Sequence, residues 1–159
     1  MEEFNRALAH LQEKFGDKDN LIGLSTISLK STPDGRPHPA VRFMDAYYED
    51  GAFYTVTYAT SSKVQQIMAN PAVAICYVVD SFTADGHGEN LGWVKDSKNS
   101  ALAAKLREIF AKWYDDANND DDPNTCILKI TLDKGLWNFP HEGKCTLIDF
   151  VTKEVEHRG

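Results

Sequence analysis

The chain has 159 residues, 42% of them apolar and 26% charged, the composition of one globular domain, spanning 1–159, with a real core. Its 17 Lys and Arg against 24 Asp and Glu give a formal charge of -7, which excludes the basic surface of a nucleic-acid binder but leaves room for a small anion held locally. Cys76, Cys126 and Cys145 are odd in number and far apart with no Cys-x-x-Cys, so reduced thiols are expected, with no disulfide framework and no cysteine zinc site.

The opening MEEFNRALAHLQEKFG sets Phe4, Leu8, Leu11 and Phe15 on one helical face, and Gly16 stops it. It lacks the basic and apolar regions of a signal peptide, and no apolar run approaches the ~20 residues of a spanning helix, so a cytoplasmic, membrane-free protein is expected. Leu21–Lys30 alternates as a strand and closes on Thr32-Pro-Asp-Gly35, a turn signal. Pro39–Tyr48 and Ala52–Tyr58, joined by Glu49-Asp-Gly51, continue an antiparallel meander. The period then becomes helical over Ser62 to Ala69, until Pro71. A buried strand, Val73–Val79, follows. The Gly-rich segment Ala84–Glu89 is expected to lead to another strand at Gly92-Trp-Val94. Residues Ser97–Tyr114 form the longest helical candidate, with Leu102, Leu106, Ile109, Phe110 and Trp113 on one side, and Asp115–Asp122 reads as a solvated connector. Cys126–Leu132, Gly135–Phe139 and Cys145–Val151 are three further strand-like runs. Strands outnumber helices and no βαβ alternation appears, so a mainly β barrel or sandwich with peripheral helices is expected.

The segment Thr60-Ser-Ser-Lys63 carries the first chemical signal. Ser61 or Ser62 is a good N-cap, yet Lys63 falls in the first turn, where the positive end of the helix dipole disfavours a cation. An anion docked there would resolve the conflict, taking backbone N–H, serine hydroxyl and ammonium donors together. Arg42 lies between Val41 and Phe43, so strand alternation turns it to the opposite face, from which a guanidinium can clamp a phosphate bidentately.

The order of these features, namely Arg42, the Asp50-Gly51 turn, the aromatic strand Phe53 to Thr57, Ser62-Lys63 and then Asn70-Pro71 before an apolar strand, resembles the pyridoxamine 5'-phosphate oxidase-like family of FMN-binding split β-barrels, and most closely its general-stress-protein-like branch. The resemblance implies a six- to eight-stranded antiparallel split barrel and a homodimer with FMN at the interface. It implies that Arg42, Ser61, Ser62 and Lys63 hold the FMN phosphate and that Phe43 and Met44 lie along the flavin ring. Tyr54, Thr55, Val56 and Thr57 would form the facing wall. His87 and Trp137 would come from the partner chain. The oxidase carries a basic residue some way beyond its C-terminal tryptophan, where this chain offers Lys144 but no arginine, and the oxidase's substrate-phosphate residues find no counterpart; vitamin B6 oxidation is not expected.

His10, His38, His87, His141 and His157 show no zinc spacing, and neither a dinucleotide fingerprint, a Walker lysine nor a serine-nucleophile motif is present. The expected function is therefore a flavin-dependent oxidoreductase acting on a small molecule with NAD(P)H as donor. The alternatives are a non-catalytic flavin-binding or stress-response protein, and a haem- or F420-binding relative.

Overall fold

In the computed structural model, which describes residues 1–159, the apolar stripe of the N-terminus forms helix α1 (Glu2–Phe15) with Phe4, Leu11 and Phe15 buried. Phe15 ends under five aromatic rings, those of Tyr48, Phe53, Tyr77, Phe82 and Trp137, at centroid distances of 4.9 to 6.1 Å. The Asn20 amide then ties the helix end to the sheet by donating to the carbonyls of Phe15 (2.8 Å) and Ala46 (3.1 Å).

Strands β1 (Asn20–Ile27), β2 (Pro39–Glu49) and β3 (Ala52–Tyr58) form the expected meander. The β2–β3 hairpin turns on Asp50 and Gly51, both at positive φ (47° and 77°), the pairing a two-residue type I′ turn requires. Helix α2 (Ser62–Ala69) leads to β4 (Ala72–Tyr77) and β5 (Phe82–Trp93). A single 3-10 turn at Ser97–Asn99, α3 (Ser100–Ile109) and α4 (Tyr114–Ala117) precede β6 (Thr125–Phe139), β7 (Lys144–Asp149) and β8 (Glu154–Arg158). All ladders are antiparallel, in the order β3-β2-β1-β4-β5-β6-β7-β8, and β3 also pairs with β6. Six strands thus close a barrel, and β7 and β8 extend the sheet beyond β6. The architecture is mainly β.

Two helices plug the barrel. At one end α1 brings Phe15 against Tyr48, Tyr77 and Phe82; at the other, Ile67 of α2 sits over Gly88 and Gln66 meets Thr26. Between them lies the main apolar core, including Ile22, Leu24, Phe53, Val64, Leu128 and Ile130. A smaller core forms outside the barrel, where Leu106 of α3 and Phe110 just beyond its end pack over Tyr47, Val56 and Ile127.

Several boundaries differ from the sequence reading. The Gly-rich segment Ala84–Glu89 is not a link: it lies within β5, and its glycines permit close approach. A Cβ on Gly86 would strike the Thr131 carbonyl of β6, and one on Gly88 would meet Ile67 of α2 at 2.8 Å. Cys126–Leu132 and Gly135–Phe139 are one 15-residue strand, β6, instead of two. β4 ends at Tyr77, leaving Val78 and Val79 exposed in the following turn. The long helix ends at Ile109, and beyond the break Arg107 pairs with both Asp115 (2.5 Å) and Asp120 (2.6 Å). In a continuous helix Asp115, eight residues on, would rise about 12 Å away. The acidic run is accordingly a structured connector, with Asp120 also accepting from the Tyr114 hydroxyl and Asp121 paired with Lys95. Strand β8 carries too few apolar residues to announce itself.

Candidate functional site: an anion cradle at the start of helix α2

Arg42 stands opposite Leu24 in the β1–β2 ladder, on the inward face, near the α2 end of the barrel. Its guanidinium donates to the Thr26 hydroxyl (2.6 Å), the Leu24 carbonyl (3.3 Å) and Gln66 Oε1 (2.8 Å). The Thr26 hydroxyl in turn donates to Gln66 Oε1 (2.6 Å). All of these acceptors are neutral, so they orient the guanidinium without cancelling its charge.

Lys63 lies in the first turn of α2 and is half-buried. Burial first, and then the charge of nearby Arg42, holds its ammonium below the ordinary lysine range. Neither cation is paired with a carboxylate, although the chain's other charges form more than a dozen ion pairs. The Cys126 thiol, close enough to feel Lys63, is pushed up to about 11 by burial and remains neutral, so it supplies no counter-charge. Ser61 occupies the N-cap with extended backbone (φ -66°, ψ 150°), but its hydroxyl makes no cap bond and is buried without any partner. A buried hydroxyl that bonds nothing costs about 1–3 kcal/mol, which a bound oxyanion would recover. Two uncompensated cations, an orphaned hydroxyl and the free N–H groups of a helix start converge as donors for a phosphate or similar dianion.

Thr57 joins this end of the barrel, facing inward beside Cys126 in the β3–β6 register, and Ser62 is exposed at the helix start. The remaining sequence candidates are dispersed. Phe43 points outward and is 71% exposed, while Met44 and Thr55 are buried. Val56 is buried beneath α3, and Tyr54 packs at the edge of the same cluster with the Lys129 ammonium 5.8 Å from its ring centre. The side chains of Met44 and Val56 are thus committed to packing. His87 lies on the outer face of β5, its Nδ1 3.1 Å from Asp133. Trp137 is 4% exposed at the α1 end, covered by His10 and Phe15, so within its own chain it is a core residue remote from the cradle. Thr26 and Gln66, which hold Arg42, were not among the expected residues. A signal existed for Gln66, a polar residue on a helix face otherwise formed by Val64 and Ile67.

The sequence matches the pyridoxamine 5'-phosphate oxidase family over residues 9–136. The chain belongs to this family. As a pyridoxamine 5'-phosphate oxidase family member it has solved structural neighbours of the same fold. General stress protein 26 from Bacillus anthracis is 24% identical, with a TM-score of 0.57 over 80% of this chain and 93% of that one. A protein related to general stress protein 26 from Clostridium acetobutylicum is 17% identical, with a TM-score of 0.60 over 97% and 99%. A pyridoxamine 5'-phosphate oxidase-related, FMN-binding protein from Nostoc punctiforme is 17% identical, with a TM-score of 0.54 over 98% and 91%. The fold is shared with proteins named for other cofactors, an F420 reductase and a haem-binding protein from Mycobacterium smegmatis. No curated protein sequence matches the chain. No helix is long and apolar enough to cross a membrane.

Proposed function

We propose that this family member binds FMN, with the phosphate held by Arg42, Lys63, Ser61 and Ser62 at the start of α2, and acts as a flavin-dependent oxidoreductase on a small molecule. One observation carries the reading: Arg42 and Lys63 lie together, partly buried and without a carboxylate, beside the orphaned Ser61 hydroxyl. Such an arrangement is unfavourable in the free chain and favourable once a phosphate arrives. Thr26 and Gln66 fix the guanidinium in place before the ligand comes, and Thr57 offers a further hydroxyl on the same inward face.

When bound, the flavin would supply two-electron transfer between a nicotinamide donor and an oxidised small substrate. The protein's own share is to anchor, orient and keep water away. A second copy supports that last task. Val41 and Phe43 on β2 and Leu21 on β1 share the outer face of the sheet and are 73%, 71% and 59% exposed. Large apolar side chains so placed mark an association surface, and we assign it to a homodimer that brings the partner's outer face toward the flavin.

Purified protein with a flavin spectrum that bleaches on anaerobic addition of NADPH and recovers on adding an acceptor is the expected outcome. A bound flavin inert to NADPH and NADH would favour a binding protein over an oxidoreductase. A deazaflavin or haem spectrum would overturn the FMN assignment.

A further inference from the structure

At the α1 end of the barrel, away from α2, a cavity of about 340 Å³ opens between α1 and the β6–β7–β8 extension. The register Gly135–Ile148–Val155 and Trp137–Thr146–His157 places both rows on one face of the extension. Helix α1 buries Ile148 against Phe4 and its neighbours but leaves the row ending in His157 uncovered, and the gap is the cavity.

Its surface combines two chemistries. Ala7, Phe139, Ile148 and Val155 give apolar walls, and the stacked rings of His10 on Trp137 (4.6 Å, 30°) and Trp137 beside Phe139 (6.0 Å, 13°) make one side flat. Around this slot stand Arg6, His10 and His157 with one lining carboxylate, Glu3; Glu2 and Glu13 approach Arg6 and His10 from exposed positions only to 3.9 and 3.7 Å, beyond hydrogen-bond length, and leave those donors open to a ligand. His157 is not loose: its Nδ1 lies 3.0 Å from the Thr146 hydroxyl. With the Thr146 hydroxyl donating to Nδ1, the His157 N–H lies on Nε2 and is available to a ligand, and Arg6 adds a fork suited to a carboxylate.

We propose that this cavity is a second small-molecule site, separate from the cradle at α2, and that it takes a flat aromatic carboxylate of one or two rings. The ring slides between the apolar walls, and the carboxylate meets Arg6 and His157 at the rim. The volume lies near the lower limit of ligand sites, roughly 300–1,000 Å³, which sets the ring count.

Calorimetric titration of the protein as purified with 2-naphthoate tests this, using the neutral 2-naphthylmethanol as control. The expected result is one naphthoate per chain, the alcohol binding at least tenfold more weakly, and the protein's visible spectrum unchanged. The double variant Arg6→Ala/His157→Ala should lose at least tenfold in naphthoate affinity, and Val155→Trp, which fills the slot, should abolish binding. The proposal is overturned by equal affinity for acid and alcohol, by unchanged naphthoate binding in either variant, by displacement of a bound cofactor, or by no saturable binding.

Discussion

Lys63 holds a position that local physics disfavours twice. It lies at the positive end of a helix, and it is partly withdrawn from water beside Arg42. Its pKa in the fold is lowered, so the folded chain releases this proton at lower pH than the unfolded chain does. The sign follows: between the depressed value and 10.5 the unfolded state binds more protons, and this group's contribution to stability rises with pH. At neutral pH the charge is a liability in the absence of an anion. Lys63→Met should therefore raise the melting temperature of cofactor-free protein by a few degrees, about 1 kcal/mol corresponding to roughly 2–4 °C at this size, while weakening FMN binding at least tenfold. Scanning calorimetry and a flavin titration on the same variant check both halves; a variant that is less stable and binds FMN normally contradicts the account. At this scale the sequence was informative. The misplaced charge of Lys63 and the strand parity of Arg42 could be read directly, whereas Thr26 and Gln66 contact Arg42 only because the barrel folds β1 and α2 around it.

At the scale of elements, α2 and β3 matched their expected bounds because the change from period two to helical period is abrupt and Pro71 ends it. β5 did not, since its alternation is carried by Ala84, Gly86 and Gly88 facing inward, and small residues give no hydrophobic signal. Their smallness is what allows β6 and α2 to approach. Gly88→Val should thus push Ile67 and the start of the cradle outward, destabilising the fold by ~1–3 kcal/mol, the usual range for overpacking. Urea unfolding measures it, and a neutral result would mean that α2 does not seat on β5 as described. The break after α3 was hidden for another reason: the contacts of Arg107 with Asp115 and Asp120 are tertiary choices among many exposed charges.

For the whole molecule, an antiparallel barrel could be anticipated, but its closure could not be read from spacing. β3 pairs with β6, although 66 residues of chain separate the two strands. Closure seals Tyr48 in the core, where burial pushes its phenol up to about 12 from 10.0. The unfolded chain therefore loses this proton first as pH rises, so the stability that Tyr48 contributes is present below pH 10 and is lost from there toward 12. Tyr47, raised to about 12 as well, acts in the same direction. Thermal midpoints should fall across that window, and Tyr48→Phe should flatten the fall; an unchanged slope in the variant would assign it elsewhere. The exposed outer face makes a separate prediction: Val41→Glu should give a folded monomer by light scattering, and a variant that stays dimeric would contradict the proposed homodimer face.

The most direct test of the cradle compares FMN with riboflavin, which lacks the phosphate, in wild-type protein and in Arg42→Ala/Lys63→Ala. Two charge-assisted contacts at about 1.5–3 kcal/mol each should make wild-type protein prefer FMN by roughly 10²–10⁴-fold, and the double variant should lose that preference while still binding riboflavin weakly. Equal affinity of wild-type protein for FMN and riboflavin would contradict the assignment.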